Sequence, residues 1–132
     1  MGLSCLLVGL GGGLGAVARY LMGLIPVPVD FPAMTLLINV LGAAVIGGVS
    51  ALAGALPLDP RAVLFLKTGA CGGFTTFSTF SLETVGLLEE RRYLAGGCYA
   101  LLSVALCLAG VVLGRTLALR LVRLACGGPI RL

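Results

Sequence analysis

Apolar residues in this chain come in unbroken runs, without the alternation of a half-buried strand or the narrow stripe of a soluble amphipathic helix. Residues 3–18 carry no charge, and past Arg19 the run resumes to Leu24. Residues 31–58 carry no charge, and neither do residues 93–114. A helix needs about 20 apolar residues to cross the hydrocarbon of a bilayer. The pattern predicts spans at about 3–24, 33–56 and 93–118. Pro26 and Pro28 end the first of these. Pro32 suits the start of the next, where its missing N–H costs nothing, and Pro57 marks its end. Asp59-Pro60-Arg61 and Glu89-Glu90-Arg91-Arg92 are short polar connections.

Between those connections lies a further segment, 61–90, longer than a span requires. After Lys67-Thr68 it reads GACGGFTTFSTFSLE from Gly69 to Glu83. Thr75, Thr76, Ser78, Thr79 and Ser81 interleave with Phe74, Phe77 and Phe80, and the carboxylate of Glu83 closes the run. Glycine and β-branched threonine weaken a helix. The expected form is a broken helix, with 61–71 and 77–90 helical and the backbone irregular near 72–76. Such backbone is tolerated at membrane depth only where protein buries it or where it lines a water-filled path. The fold expected is therefore all-α, one membrane domain over 1–132, with four transmembrane helices, the third broken near its middle. Beyond Gly114 the chain turns basic. The last helix is expected to continue briefly and fray toward Gly127-Gly128-Pro129.

Composition agrees. Hydrophobic residues make up 59% of the 132 and charged residues only 11%, against about 25% in a soluble domain. Mean hydropathy is +1.15. So few charges cannot cover a water-soluble surface. The amino terminus lacks a basic leader region, so it is read as part of the fold. The net charge of +4 comes from segment ends and the tail and reads as flanking charge, not as a nucleic-acid footprint. With four spans, Arg61, Arg115, Arg120, Arg123 and Arg131 share one side. Arg91 and Arg92 lie on the other, with Arg19 near them. The bias slightly favours internal termini and is compatible with insertion in both orientations. The 21 glycines include small-residue pairs at Gly9/Gly13, Gly11/Gly15 and Gly110/Gly114, with Gly42, Gly47 and Gly48 in the second span, all suited to close helix packing. Five cysteines without CxxC spacing read as packing residues rather than a disulfide framework or a zinc site. The absence of histidine removes the usual proton shuttle and metal ligand.

Asn39 is the one asparagine of the chain. An amide at membrane depth needs partners, and two readings stand open, a helix–helix hydrogen bond and a pore-lining donor. Phe77 and Phe80, three apart, share a helix face, as do Ser103 and Cys107, four apart. Periodic apolar residues usually pack a core. Phenylalanine edges, however, carry partial positive charge, and hydroxyls and amides donate hydrogen bonds, so the same residues could line an anion path without a fixed charge that would trap the ion. Gly11-x-Gly13-x-x-Ala16 matches a relaxed dinucleotide fingerprint, but that motif needs a soluble βαβ unit and the chain stays apolar.

Three motifs in order resemble the CrcB family of fluoride channels, the Fluc channels. They are GGGLGAVARY over Gly11–Tyr20, TLLINVLG over Thr35–Gly42, and the Gly69–Glu83 run. The resemblance implies an antiparallel, dual-topology homodimer in the cell's inner (plasma) membrane, with two fluoride pathways each built from both subunits. It implies passive export of fluoride, which enters cells as neutral HF and is trapped as the anion. It implies a structural sodium ion at the dimer centre, held by the backbone carbonyls of Gly72 and Thr75. Residue by residue it places Asn39, Phe77, Phe80, Ser78, Thr79, Glu83, Tyr99, Ser103 and Cys107 along the fluoride path.

This chain departs from the family's pattern at Met34, where glycine is usual, at Ala70, where a large apolar residue is usual, and at Cys107, where a stronger donor is common. The alternative of a small four-helix dimeric multidrug-type transporter needs a carboxylate deep in the first span, and none is there. An enzyme would need a nucleophile and base, and Glu83 has no evident partner in the sequence.

Overall fold

The computed structural model describes residues 1–126, and among them every regular element is helical. Helix α1 spans Gly2–Gly23 and α2 spans Ala33–Ala55. The next segment starts as α3, Pro60–Val63, winds as a π-helix over Leu64–Cys71 and returns to α-geometry in α4, Gly72–Phe74. After a two-residue break come α5, Phe77–Glu89, and α6, Tyr93–Cys126. Three of these, Gly2–Gly23, Ala33–Ala55 and the stretch Tyr93–Ala125 of α6, are long and apolar enough to cross a membrane. The broken segment between them is made of shorter pieces.

Local chemistry sets the ends. Leu56, ahead of Pro57, is extended at φ −128°, ψ 149° and stops α2, as a residue before proline tends to be. Asp59 caps the next helix, its carboxylate accepting the Arg61 N–H at 2.8 Å, with Pro60 in the first turn. Such a cap contributes about 1 kcal/mol. Arg91 turns the chain between α5 and α6 at φ 60°. Its N–H returns to Leu88 O at 3.0 Å and that of Arg92 to Leu87 O at 2.9 Å, which closes the helix end in a left-handed cap.

The helix break lies later and is narrower than the sequence suggests. Gly72 is helical, at φ −63°, ψ −37°. Only Thr75 (φ −77°, ψ 156°) and Thr76 (φ −147°, ψ 108°) are extended. Gly69 and Gly73 serve contact instead of flexibility. A Cβ on Gly73 would collide with the Gly12 backbone of α1, and one on Gly15 with the Ala70 carbonyl. α1 thus lies backbone to backbone on the first half of the broken segment. In lipid, where apolar burial against a neighbour gives no special advantage, such close contact is what holds helices together.

α2 packs along α6, where Gly114 sits against the Ala44 carbonyl. α6 is 34 residues long, about 51 Å at 1.5 Å per residue. It extends past the expected end of the span near 118 and carries Arg115, Arg120 and Arg123 on its last turns. The fraying expected near Gly127-Gly128-Pro129 falls outside the described residues. Much apolar surface on these helices is exposed among the described residues, including Leu14, Val17, Leu82, Leu101 and Leu113.

Candidate functional site

The break is built by Asn39. From α2, its Nδ2 donates to the Thr76 carbonyl at 3.1 Å and its Oδ1 accepts the Thr76 N–H at 2.8 Å. One amide therefore satisfies both backbone groups of a residue that belongs to neither helix. The Thr76 N–H would ordinarily close the helix on the Gly72 carbonyl; engaged by Asn39, it leaves that oxygen without its helical donor. Thr76 also caps α5. Its Oγ1 accepts the Thr79 N–H at 3.2 Å, donates to Thr79 Oγ1 at 2.9 Å and lies 3.3 Å from Ser78 Oγ. Asn39 makes a hydrogen bond between segments, to the break and not to a helix, and the same side chain also lines a cavity.

That cavity, about 380 Å³, is bordered by Asn39, Thr75, Phe77, Phe80, Ser103 and Cys107 among others. Phe77 and Phe80 stand with ring centroids 5.3 Å apart and planes tilted by 47°. Phe77 is 77% exposed. Ser103 is buried to 6% exposure, and among the described residues its Oγ has no hydrogen-bond partner. Ser81 and Thr84 differ: their hydroxyls bond back to the Phe77 and Phe80 carbonyls at 2.9 and 2.7 Å, the usual resting place for a helical hydroxyl. An unpaired buried hydroxyl costs about 1–3 kcal/mol, which a ligand in the cavity would offset.

One turn along, Glu83 is held from two other helices. Thr35 Oγ1 donates to its Oε1 at 2.8 Å, and the Tyr99 hydroxyl donates to its Oε2 at 2.6 Å. Tyr99 is fully buried, its ring 5.3 Å from Phe80 and in edge contact with Phe31 at 5.4 Å and 85°. A second cavity, about 370 Å³, brings Glu83 and Thr79 together with Arg19, Thr35 and Thr76. Arg19 donates through Nε to the Gly73 carbonyl at 3.3 Å.

The structure thus groups Asn39, Phe77, Phe80, Ser103 and Cys107 at one cavity and Thr79 and Glu83 at the next, with Tyr99 between Phe80 and Glu83. Ser78 stands apart from both cavities on an exposed face. Thr35, Thr76, Arg19 and Phe31 belong to the arrangement, although the sequence reading does not place them on the path: Thr76 stands there only in the hydroxyl run, and Thr35 and Arg19 only within the motifs. Thr35 precedes Asn39 by one helical turn, Thr76 has the type and position of a helix cap, and Arg19 is a lone charge in an apolar run. Phe31 carries no such signal. Among the described residues no cluster of Cys, Asp or Glu could chelate a metal. The oxygens at the break are neutral ones, hydroxyls and main-chain carbonyls, the Gly72 carbonyl among them.

The sequence model described as CrcB-like protein, Camphor Resistance (CrcB), matches residues 6–115. A protein of Methanococcus maripaludis named fluoride-specific ion channel FluC is 50% identical over 113 residues, covering 83% of this chain and 91% of its own. One of the same name from Ruminiclostridium cellulolyticum is 47% identical over 84% of this chain and 88% of its own. A fluoride-specific ion channel FluC 2 of Rhodococcus jostii is 46% identical over 85% and 96%.

Proposed function

The chain belongs to the CrcB family, and from that membership we propose that it is a fluoride-specific channel of the plasma membrane, a conduit and not an enzyme, which lowers cytoplasmic fluoride by passive export. The observation that carries the reading is the cavity at Ser103. Ser103, whose buried hydroxyl has no partner among the described residues, lines one space with Phe77, Phe80 and the amide of Asn39. These groups supply partial positive charge and donors to an ion shedding water, with no fixed cation to hold it. Past Tyr99, Glu83 lies at the far end of the row, where Thr35 and Tyr99 neutralise part of its charge by donation.

The working form is an antiparallel homodimer of four-span subunits. Exposure of Phe77 at 77% and the open side of its cavity suit a second copy that completes the wall, so that each of two pathways uses both subunits. A two-fold axis through the breaks would gather Gly72 and Thr75 carbonyls from both copies around a sodium ion. Uncharged oxygens in that number suit a monovalent hard cation better than calcium, which takes carboxylates and more ligands. The ion would supply positive potential near the paths and tie the subunits together; buried water making the same bonds is the competing occupant.

In liposomes with a potassium ionophore to balance charge, the purified protein should release fluoride and retain chloride. Equal chloride release, or release that requires a proton gradient, refutes the channel. Exchange of sodium for a large organic cation should lower both flux and dimer stability, and sodium should restore them. Indifference to sodium would leave the break to water. A thiol label placed in the 89–92 connection of a cysteine-free chain should react from both faces of the cell membrane; labelling from one face alone would rule out dual insertion.

A further inference from the structure

We propose that Arg92 is a positioning residue of the ion path, which holds Phe31 against Tyr99 and so fixes Tyr99 on Glu83; the inference rests on the channel reading above. Arg92 lies in the α5–α6 connection and reaches across to the α1–α2 connection. Its Nη1 donates to Asp30 Oδ1 at 3.1 Å and its Nη2 to the Asp30 backbone carbonyl at 2.6 Å, with Nη2 also 3.0 Å from Oδ2. Glu90 Oε2 lies 3.4 Å from Nη1. The guanidinium fork thus grips both the side chain and the main chain of one residue, a geometry a point charge cannot reproduce.

The α1–α2 connection has little else to hold it. Its remaining main-chain bonds are local, such as Val29 N–H to Val27 O at 2.8 Å and Ala33 N–H to Phe31 O at 2.7 Å. Residues 24–30 are exposed. Arg92 itself is well anchored, because the left-handed turn at Arg91 returns its N–H to Leu87 O. The residue after Asp30 is Phe31, whose ring meets Tyr99 edge-on at 5.4 Å. Tyr99 in turn donates to Glu83 at 2.6 Å and packs on Phe80 at 5.3 Å. A cavity of about 300 Å³ lies under the clasp, with Asp30, Arg92 and Glu90 at its rim and Phe31 and Glu83 also on its wall. A continuous set of contacts therefore runs from a surface ion pair to the carboxylate at the end of the row. An ordinary exposed pair contributes about 0.2–1 kcal/mol and changes nothing beyond its own surface. Here the pair sets the place of an aromatic wall.

The test compares Arg92→Gln, Asp30→Asn and their combination, each assayed for fluoride release from liposomes and for dimer elution. Arg92→Gln removes the fork and is expected to lower flux about fivefold, equivalent to about 1 kcal/mol, with dimer elution unchanged. Asp30→Asn keeps the bond from Arg92 Nη2 to the residue-30 carbonyl and is expected to lower flux about twofold. The double change should be no worse than Arg92→Gln alone, since that change already removes the clasp. A second readout does not depend on conduction. The chain has no tryptophan, so with Tyr20 and Tyr93 changed to phenylalanine the ultraviolet emission reports Tyr99 alone. Arg92→Gln should alter that emission. Unchanged flux in the single variants, losses that multiply in the double variant, or an unmoved Tyr99 signal would each overturn the proposal. A wild-type protein that releases no fluoride would instead refute the channel reading on which it rests.

Discussion

Asn39→Asp is expected to abolish fluoride flux, by at least about 100-fold, while folded, monodisperse protein can still be purified. The substitution keeps an oxygen where Oδ1 accepts the Thr76 N–H and removes the Nδ2 donor to the Thr76 carbonyl. The structural loss is one hydrogen bond between helices, about 0.6–2 kcal/mol. The electrostatic change is larger. Two like unit charges about 4 Å apart repel by about 4 kcal/mol at an effective dielectric of 20, and Asn39 shares its cavity with Phe77, Phe80 and Ser103. Half of that repulsion would account for a drop of more than tenfold, and the lost donor adds to it. Initial fluoride efflux per mole of protein, measured beside the elution profile, separates the two contributions. If the Asp variant is folded and conducts like the wild type, Asn39 only fastens the break, and the path runs elsewhere.

The sequence exposed the spans well because lipid imposes one demand, an uncharged run of sufficient length, and this chain meets it plainly. It placed the break less well. Gly72 and Gly73 read as helix breakers, which is how glycine behaves where water competes for the backbone. In this fold both stay helical, Gly73 with the α1 backbone against it, and the break moves to Thr75 and Thr76, where Asn39 takes the backbone bonds. A side chain 37 residues earlier in the chain decides that position, so no local reading could find it.

The same limit applies to Glu83. Its place at the end of the hydroxyl run was visible, but its two donors come from α2 and α6 and are joined only by the fold. Ser103 and Cys107 were legible as a pair because helical spacing alone aligns them. Arg92 was legible only as a charge that bears on orientation. Its grip on Asp30 joins two loops 62 residues apart.

Glycine spacing marks the sharpest difference between pattern and structure, and it leads to the second large effect. The first span offers two pairs, Gly9/Gly13 and Gly11/Gly15, of equal merit by sequence. Among the described residues only one of them packs against the rest of the chain. Gly11 and Gly15 are buried against the third segment, and a Cβ on Gly15 would fall on the Ala70 carbonyl oxygen and the Phe74 amide. Both obstacles are main chain, so no rotamer change relieves them. Gly9 and Gly13 have nothing within 4 Å of the same construction. Gly15→Val should therefore drive α1 away from Ala70–Phe74 and, with it, loosen the Arg19 bond to Gly73 and the second cavity. Overpacking of this kind costs about 1–3 kcal/mol or more in a soluble core. In lipid the separated helices lose the close contact that held them and gain no other drive to return. The expected result is little or no monodisperse protein after detergent extraction of Gly15→Val, whereas Gly9→Val extracts and melts like the parent. Equal behaviour of the two variants in a thermal aggregation assay would mean that α1 does not lie on the broken segment through Gly15, and the packing described here would have to be redrawn.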